Sequence, residues 1–163
     1  MKHNGVMTGE LFLGHSVNKL TEMSGYVEAC VSRLDGEQVW KGPQNSVGNL
    51  VLHLCGNVRQ WIGSSIGGLV DVRQREREFA ASSRMGAEEL LSLLASTVGE
   101  AVTILRNLAP ERLTERVSTQ DGDRYVLEVI YQVVGHFQQH AGQIIYATKM
   151  MTGEDLKFYK KSS

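Results

Sequence analysis

Three of the five histidines fall where side chains face a helical interior, and their spacing suits metal ligation. His136 and His140 are four residues apart, which on a helix sets both rings on one face about 6 Å apart at Cβ. Two imidazoles so placed can share one ion at a metal–nitrogen distance of about 2.0–2.1 Å. Both lie on the apolar line Val129, Val133, His136, His140, Ile144. His53 lies far away in sequence, on a side shared with Leu50 and Leu54. Taken alone, a buried histidine is ordinarily a core residue satisfied by one hydrogen bond, and a pair at this spacing also recurs by chance. Three neutral imidazoles on inward faces would leave several ring nitrogens wanting partners, and one cation satisfies a nitrogen on each. Imidazole donors suit zinc, nickel, iron(II) or copper(II), whereas magnesium and calcium prefer oxygen. Three protein ligands leave a coordination position open, the mark of a catalytic rather than a structural site. Gln143, three residues past His140, is placed to orient a ligand ring or a bound molecule; a plain surface or capping amide is the competing reading. His3 is expected in a mobile terminus and His15 on a solvated helix face.

Four amphipathic helices must carry these residues. The first stripe is Leu13, Val17, Leu20, Val27, Val31, Leu34, stepping by three and four. Asp35-Gly36 is expected to end it through a left-handed glycine. Pro43 to Ser46 predicts a turn and cap before the second stripe, Val47, Leu50, Val51, Leu54, Val58, Trp61, Ile62. Gly63 and Gly67-Gly68 weaken that helix at its far end. A largely polar connector then runs from Ser64 to Met85 with no clear stripe, unusually long for a compact domain. The third stripe is Leu90, Leu91, Leu94, Val98, Val102, Leu105, Leu108. Its start near Gly86 has Glu89 placed to reach back and Met85 with Leu90 as a hydrophobic staple. A second connector spans Glu111 to Gly122, and Asp123 is the expected N-cap of the fourth helix. These features predict one all-α domain over 1–163, a four-helix bundle. The long second connector favours an up-down-down-up crossover.

The 163 residues hold 17 Lys plus Arg against 18 Asp plus Glu. No net field draws in nucleic acid or an anionic membrane, and no apolar run of about 18 residues exists to span one. Near the start no apolar stretch of about 7–15 residues suggests a signal peptide. With Cys30 and Cys55 not forming a CxxC pair, a cytoplasmic, reduced protein is expected.

Other constellations fail. A ferritin-like di-iron site needs Glu three residues before His, but Val133 and Phe137 hold those offsets. There is no HExxH and no phosphate loop. Cys55, two residues from His53, points away from it, and both cysteines are expected in the core. Trp40 and Trp61 are expected as packing anchors. The segment Arg73–Phe79 mixes charges, and a solvated connector is preferred to a cover over the site.

The run His136-Phe137-Gln138-Gln139-His140-Ala141-Gly142-Gln143-Ile144 resembles the H-x3-H-x-G-Q-I signature of the DinB-like superfamily, which includes YfiT-like metal-dependent hydrolases. Ser46-Val47-Gly48-Asn49-Leu50-Val51-Leu52-His53 resembles the second-helix motif carrying that family's first ligand. The resemblance spans nearly the whole chain. It implies a three-histidine site for zinc, nickel or a similar ion (iron or manganese less so) and a homodimer. It also implies an enzyme of hydrolase or low-molecular-weight-thiol transferase type, acting on a small molecule. The competing expectation is a non-catalytic metal-binding stress or dimerisation module, with any ion walled off from solvent.

Overall fold

A computed structural model describes residues 2–42, 45–81 and 85–158, with side chains from residue 5 onward. Four long helices carry the fold: α1 (Lys2–Val31), α2 (Val47–Val58), α4 (Ala87–Arg106) and α5 (Val126–Thr152). A short helix, α3 (Arg75–Ala80), lies in the connector between α2 and α4. Around the bundle, α1 packs on α4 and α5, and α2 packs on the same two helices. The pairs α1 with α2 and α4 with α5 thus lie across the diagonals.

All four predicted stripes enter one core. Leu13, Val17, Leu20, Val27, Val31 and Leu34 are buried, as are Leu90, Leu94, Val98, Leu105 and Leu108. Leu91 and Val102 sit at its margin, half-buried. Phe137, Ile130 and Ile144 of α5 are among the largest fully buried side chains. Removing such a side chain costs about 2–5 kcal/mol, because the surroundings collapse only in part.

Local chemistry sets the boundaries. Ser46 caps α2: its Oγ accepts from the Asn49 N–H at 3.1 Å, and its own N–H donates to Asn49 Oδ1 at 3.1 Å. Pro43, expected in the preceding turn, lies outside the described residues. Glu89 accepts from the Gly86 N–H at 2.8 Å, as its position predicts. Met85 packs against the core, and its carbonyl accepts from Trp40 Nε1 at 2.9 Å. Trp40 is a packing anchor, its ring so close over Gly48 that an added Cβ would sit 2.8 Å from it. Trp61 is buried. Beyond Val58, α2 widens into a π-turn over Arg59–Ser64, then stops at Gly68 with φ +74°.

Several expectations need correction. Helix α1 begins at Lys2, so the backbone at His3 is helical. Gly36 is not left-handed; α1 ends because Asp35 Oδ1 accepts from the N–H groups of Glu37 and Gln38, opening a 3-10 turn over Gln38–Trp40. The connector after α4 is not plain loop. Pro110 opens a 3-10 turn with Leu113 buried, and a hairpin follows, β1 (Arg116–Thr119) on β2 (Gly122–Tyr125), Val117 facing Arg124. Asp123 therefore lies in β2, paired with Ser118 of β1, and is not the cap; the N-cap of α5 is Tyr125, whose N–H donates to Glu128 Oε2 at 2.9 Å.

Candidate functional site

The three histidines meet. Helix α2 presents His53 and α5 presents His136 and His140 across the packed seam between the two helices. His136 Nε2 lies 3.1 Å from His53 Nε2 and 3.1 Å from His140 Nε2, and one nitrogen from each ring falls within 4.8 Å of the other two. Two ligands about 2.1 Å from one ion at a tetrahedral angle stand ~3.4 Å apart, so the spacing is that of a shared cation. His53 is buried, while His136 and His140 are half-buried and keep a path to solvent. His15 is exposed on α1, as expected.

The partners behind the rings decide which nitrogens carry hydrogen. His53 Nδ1 lies 3.0 Å from Glu78 Oε2, which only accepts, and 3.1 Å from a terminal nitrogen of Arg73, which only donates; that nitrogen already donates to Glu78 Oε2 at 2.9 Å, so the Nδ1–H goes to the carboxylate and Nε2 keeps its lone pair. His140 Nδ1 donates to Gln143 Oε1 at 2.7 Å, so its Nε2 is also a lone pair. His136 Nε2 faces both lone pairs and has at most one hydrogen to offer. Its Nδ1 is buried without a partner among the described residues. A neutral triad is therefore one positive centre short. A proton is a poor remedy: burial, then the charges of His140 and His53, push the His136 pKa down to about 4. Burial likewise lowers His140, against the pull of Gln143. Both rings are thus held as neutral donors, and the donor set fits a divalent transition cation.

The connector, expected to be solvated, instead forms the wall behind His53. Arg73 donates from Nε to Glu78 Oε1 at 2.7 Å and from one terminal nitrogen to Oε2 at 2.9 Å, a two-point pair with side-chain exposures of 6% and 10%. Its other terminal nitrogen donates to Gln60 Oε1 at 2.9 Å. Burial alone would raise the Glu78 carboxyl, but hydrogen bonds from Arg73 and His53 outweigh it, and it sits below its ordinary range. The Asn49 amide donates at 2.9 Å to the carbonyls of both Glu78 and Ala81, tying α3 to α2. Gly56 makes room: a Cβ there would fall 2.0 Å from Glu78 Oε1. Phe79 packs beside His53, ring centroids 4.9 Å apart.

Sequence reasoning singles out none of Glu78, Arg73, Asn49 and Gly56: it weighs the Arg73–Phe79 segment as a cover over the site and prefers a solvated connector. The only available signal was a long charged connector, and nothing local distinguishes Glu78 from Glu76. Cys30 and Cys55 are both buried, and burial pushes the Cys55 thiol up to about 12, which makes it a core group rather than a nucleophile.

Residues 7–160 match the family described as "Protein of unknown function (DUF1572)". No curated protein matches the sequence. The fold is similar to that of a mycothiol-dependent maleylpyruvate isomerase, at 15% identity over 83% of this chain and 67% of that one, with a TM-score of 0.63. A mutant form of that isomerase gives 14% identity over the same shares, with a TM-score of 0.63. At these identities the likeness establishes the fold. No helix among the described residues is long and apolar enough to cross a membrane.

Proposed function

The chain belongs to the DUF1572 family, a DinB/YfiT-like family, and from that premise we propose that it is a metal-dependent enzyme acting on a small molecule, with His53, His136 and His140 as ligands. The observation that carries this reading is the convergence of three Nε2 atoms whose hydrogens cannot satisfy one another, on two rings that remain half-buried. The half-buried rings disfavour a walled-off structural ion. Zinc and nickel are the first candidates.

When bound, such an ion supplies Lewis acidity that favours the ionised form of a thiol or water. The chain's own residues do the positioning. Glu78 and Gln143 fix the tautomers of His53 and His140, so that both Nε2 atoms remain donors. Glu78 lies behind His53 and is held at both oxygens by Arg73, which makes it a poor general base. Among the described residues no carboxylate other than Glu78 is hydrogen-bonded to the triad, which favours a nucleophile that ionises readily, and a thiol at pKa ~8.5 needs far less help than water. A low-molecular-weight thiol is therefore the favoured co-substrate, in keeping with the mycothiol dependence of the similar fold; hydrolysis by water is second. A homodimer belongs to the same proposal, and light scattering reads it.

The test is a turnover screen of zinc- and nickel-loaded protein against electrophiles with and without mycothiol, bacillithiol or glutathione, alongside ester and amide substrates. Metal-dependent, thiol-dependent turnover is the expected result. Turnover of esters or amides without thiol selects the hydrolase, and no metal-dependent turnover in either arm rejects the enzyme.

A further inference from the structure

A cavity of about 290 Å³ lies on the far side of the Arg73–Glu78 pair from His53, between α2, α4 and the connector. Its inner wall is mainly apolar, from Leu52 and Cys55 of α2 and Leu93 of α4, with Thr97 beside them. Its polar boundary is unbalanced in charge. Three arginines line it, Arg59, Arg73 and Arg77, against two carboxylates, Asp71 and Glu78.

Both carboxylates are already engaged. Glu78 is paired with Arg73 and His53. Asp71 accepts from Gln60 Nε2 at 2.7 Å and from the Arg73 N–H at 2.9 Å. Those two hydrogen bonds, from Gln60 first, hold its carboxyl below the ordinary range, so it stays charged and occupied. Arg73 is fixed in place by Glu78 and Gln60. Arg59 and Arg77 differ: among the described residues, no hydrogen bond or ion pair engages either guanidinium, and both side chains are exposed. Some exposed arginines elsewhere find carboxylates, as Arg112 does with Glu115 at 2.8 Å, but Arg59 and Arg77 have none and both line this cavity. An apolar chamber lined by two uncommitted guanidinium groups is complementary to a molecule with an apolar body and a carboxylate head.

We propose that this cavity is a binding site for a small organic carboxylate, its apolar body against Leu52 and Leu93 and its anionic head between Arg59 and Arg77. The site needs no ion at the histidines, so it stands or falls separately from the metal reading. Its occupant is separated from His53 by the Arg73–Glu78 pair, which makes it a neighbour of the triad rather than part of it.

Benzoate is the probe and benzamide its neutral counterpart, each titrated into isotope-labelled protein and followed by amide NMR, once zinc-loaded and once EDTA-treated. Benzoate is expected to shift the Leu52, Gly56, Leu93 and Thr97 amides saturably in both preparations. Benzamide should bind roughly tenfold more weakly, and Arg59→Gln and Arg77→Gln should each weaken benzoate by roughly tenfold. Both substitutions are at exposed positions, and unchanged circular dichroism verifies the fold. No saturable shift, shifts confined to α5 around His140, equal affinity for benzamide, or indifference to both arginine variants would each overturn the proposal.

Discussion

The two flanks of the histidine triad are built in different ways. On the α5 flank everything is local: His136, His140 and Gln143 follow one another at helical steps of four and three, and the His140–Gln143 hydrogen bond joins neighbours on one turn. On the α2 flank almost everything is distant. His53 meets Glu78 from twenty-five residues away, Arg73 from twenty, and the wall is pinned by Asn49 across about thirty. The local flank is preorganised as soon as α5 forms. The distant flank exists only when the connector docks, and docking needs the space that Gly56 leaves.

The largest effect tests whether the flanks meet at one ion. Purified parent protein should carry about one ion per chain by elemental analysis, and His53→Ala and His140→Ala should each lose most of it. Retention in either variant would separate the two flanks. Next in size is Gly56→Ala, which sets a methyl where the Glu78 carboxylate lies. Metal affinity, read by competition with a chelator, should fall toward the upper end of the ~10–100-fold range typical of lost supporting partners, although the added methyl would meet Glu78 and Arg73 rather than a histidine ring. Unchanged affinity would mean that the wall is irrelevant to the site.

Glu78→Gln should fall lower in that ~10–100-fold range, because an amide still fills the space but loses the charge that Arg73 pairs with. Gln143→Ala should cost less than Glu78→Gln, since exposed Gln143 is replaceable by water. The reverse order would show that the local flank, not the docked one, governs the ion.

The smallest effect is on pH dependence. The folded-state pKa of His136, about 4, lies below its unfolded value of about 6.5. The unfolded chain therefore takes up a proton that the folded one refuses. That contribution to stability is whole above pH ~6.5 and is lost as pH falls toward about 4. Melts of metal-free protein should show a falling midpoint across that window, flattened by His136→Asn. A parent curve already as flat as the variant's would exclude His136 as the group responsible.

Legibility in the sequence follows the same division. The four apolar stripes were legible because a 3.6-residue period records which face is buried. So were the caps at Ser46 and Glu89, whose partners lie within a turn. The β1–β2 hairpin was missed because β2 is exposed throughout and shows no alternation. Asp123 looked like a cap because a cap's sequence signal is one residue type, while a strand partner is a tertiary fact. Helix α3 was missed because it buries no residue of its own to leave a stripe.

Local spacing and apolar period alone determined a bundle of four long helices and the inward placement of His53, His136 and His140. Tertiary structure decided that the three Nε2 atoms share one point, and that Glu78 rather than Glu76 stands behind His53. Only docking of the connector could decide the second, because two exposed-looking glutamates in a polar segment differ in nothing until one of them loses water to a buried guanidinium.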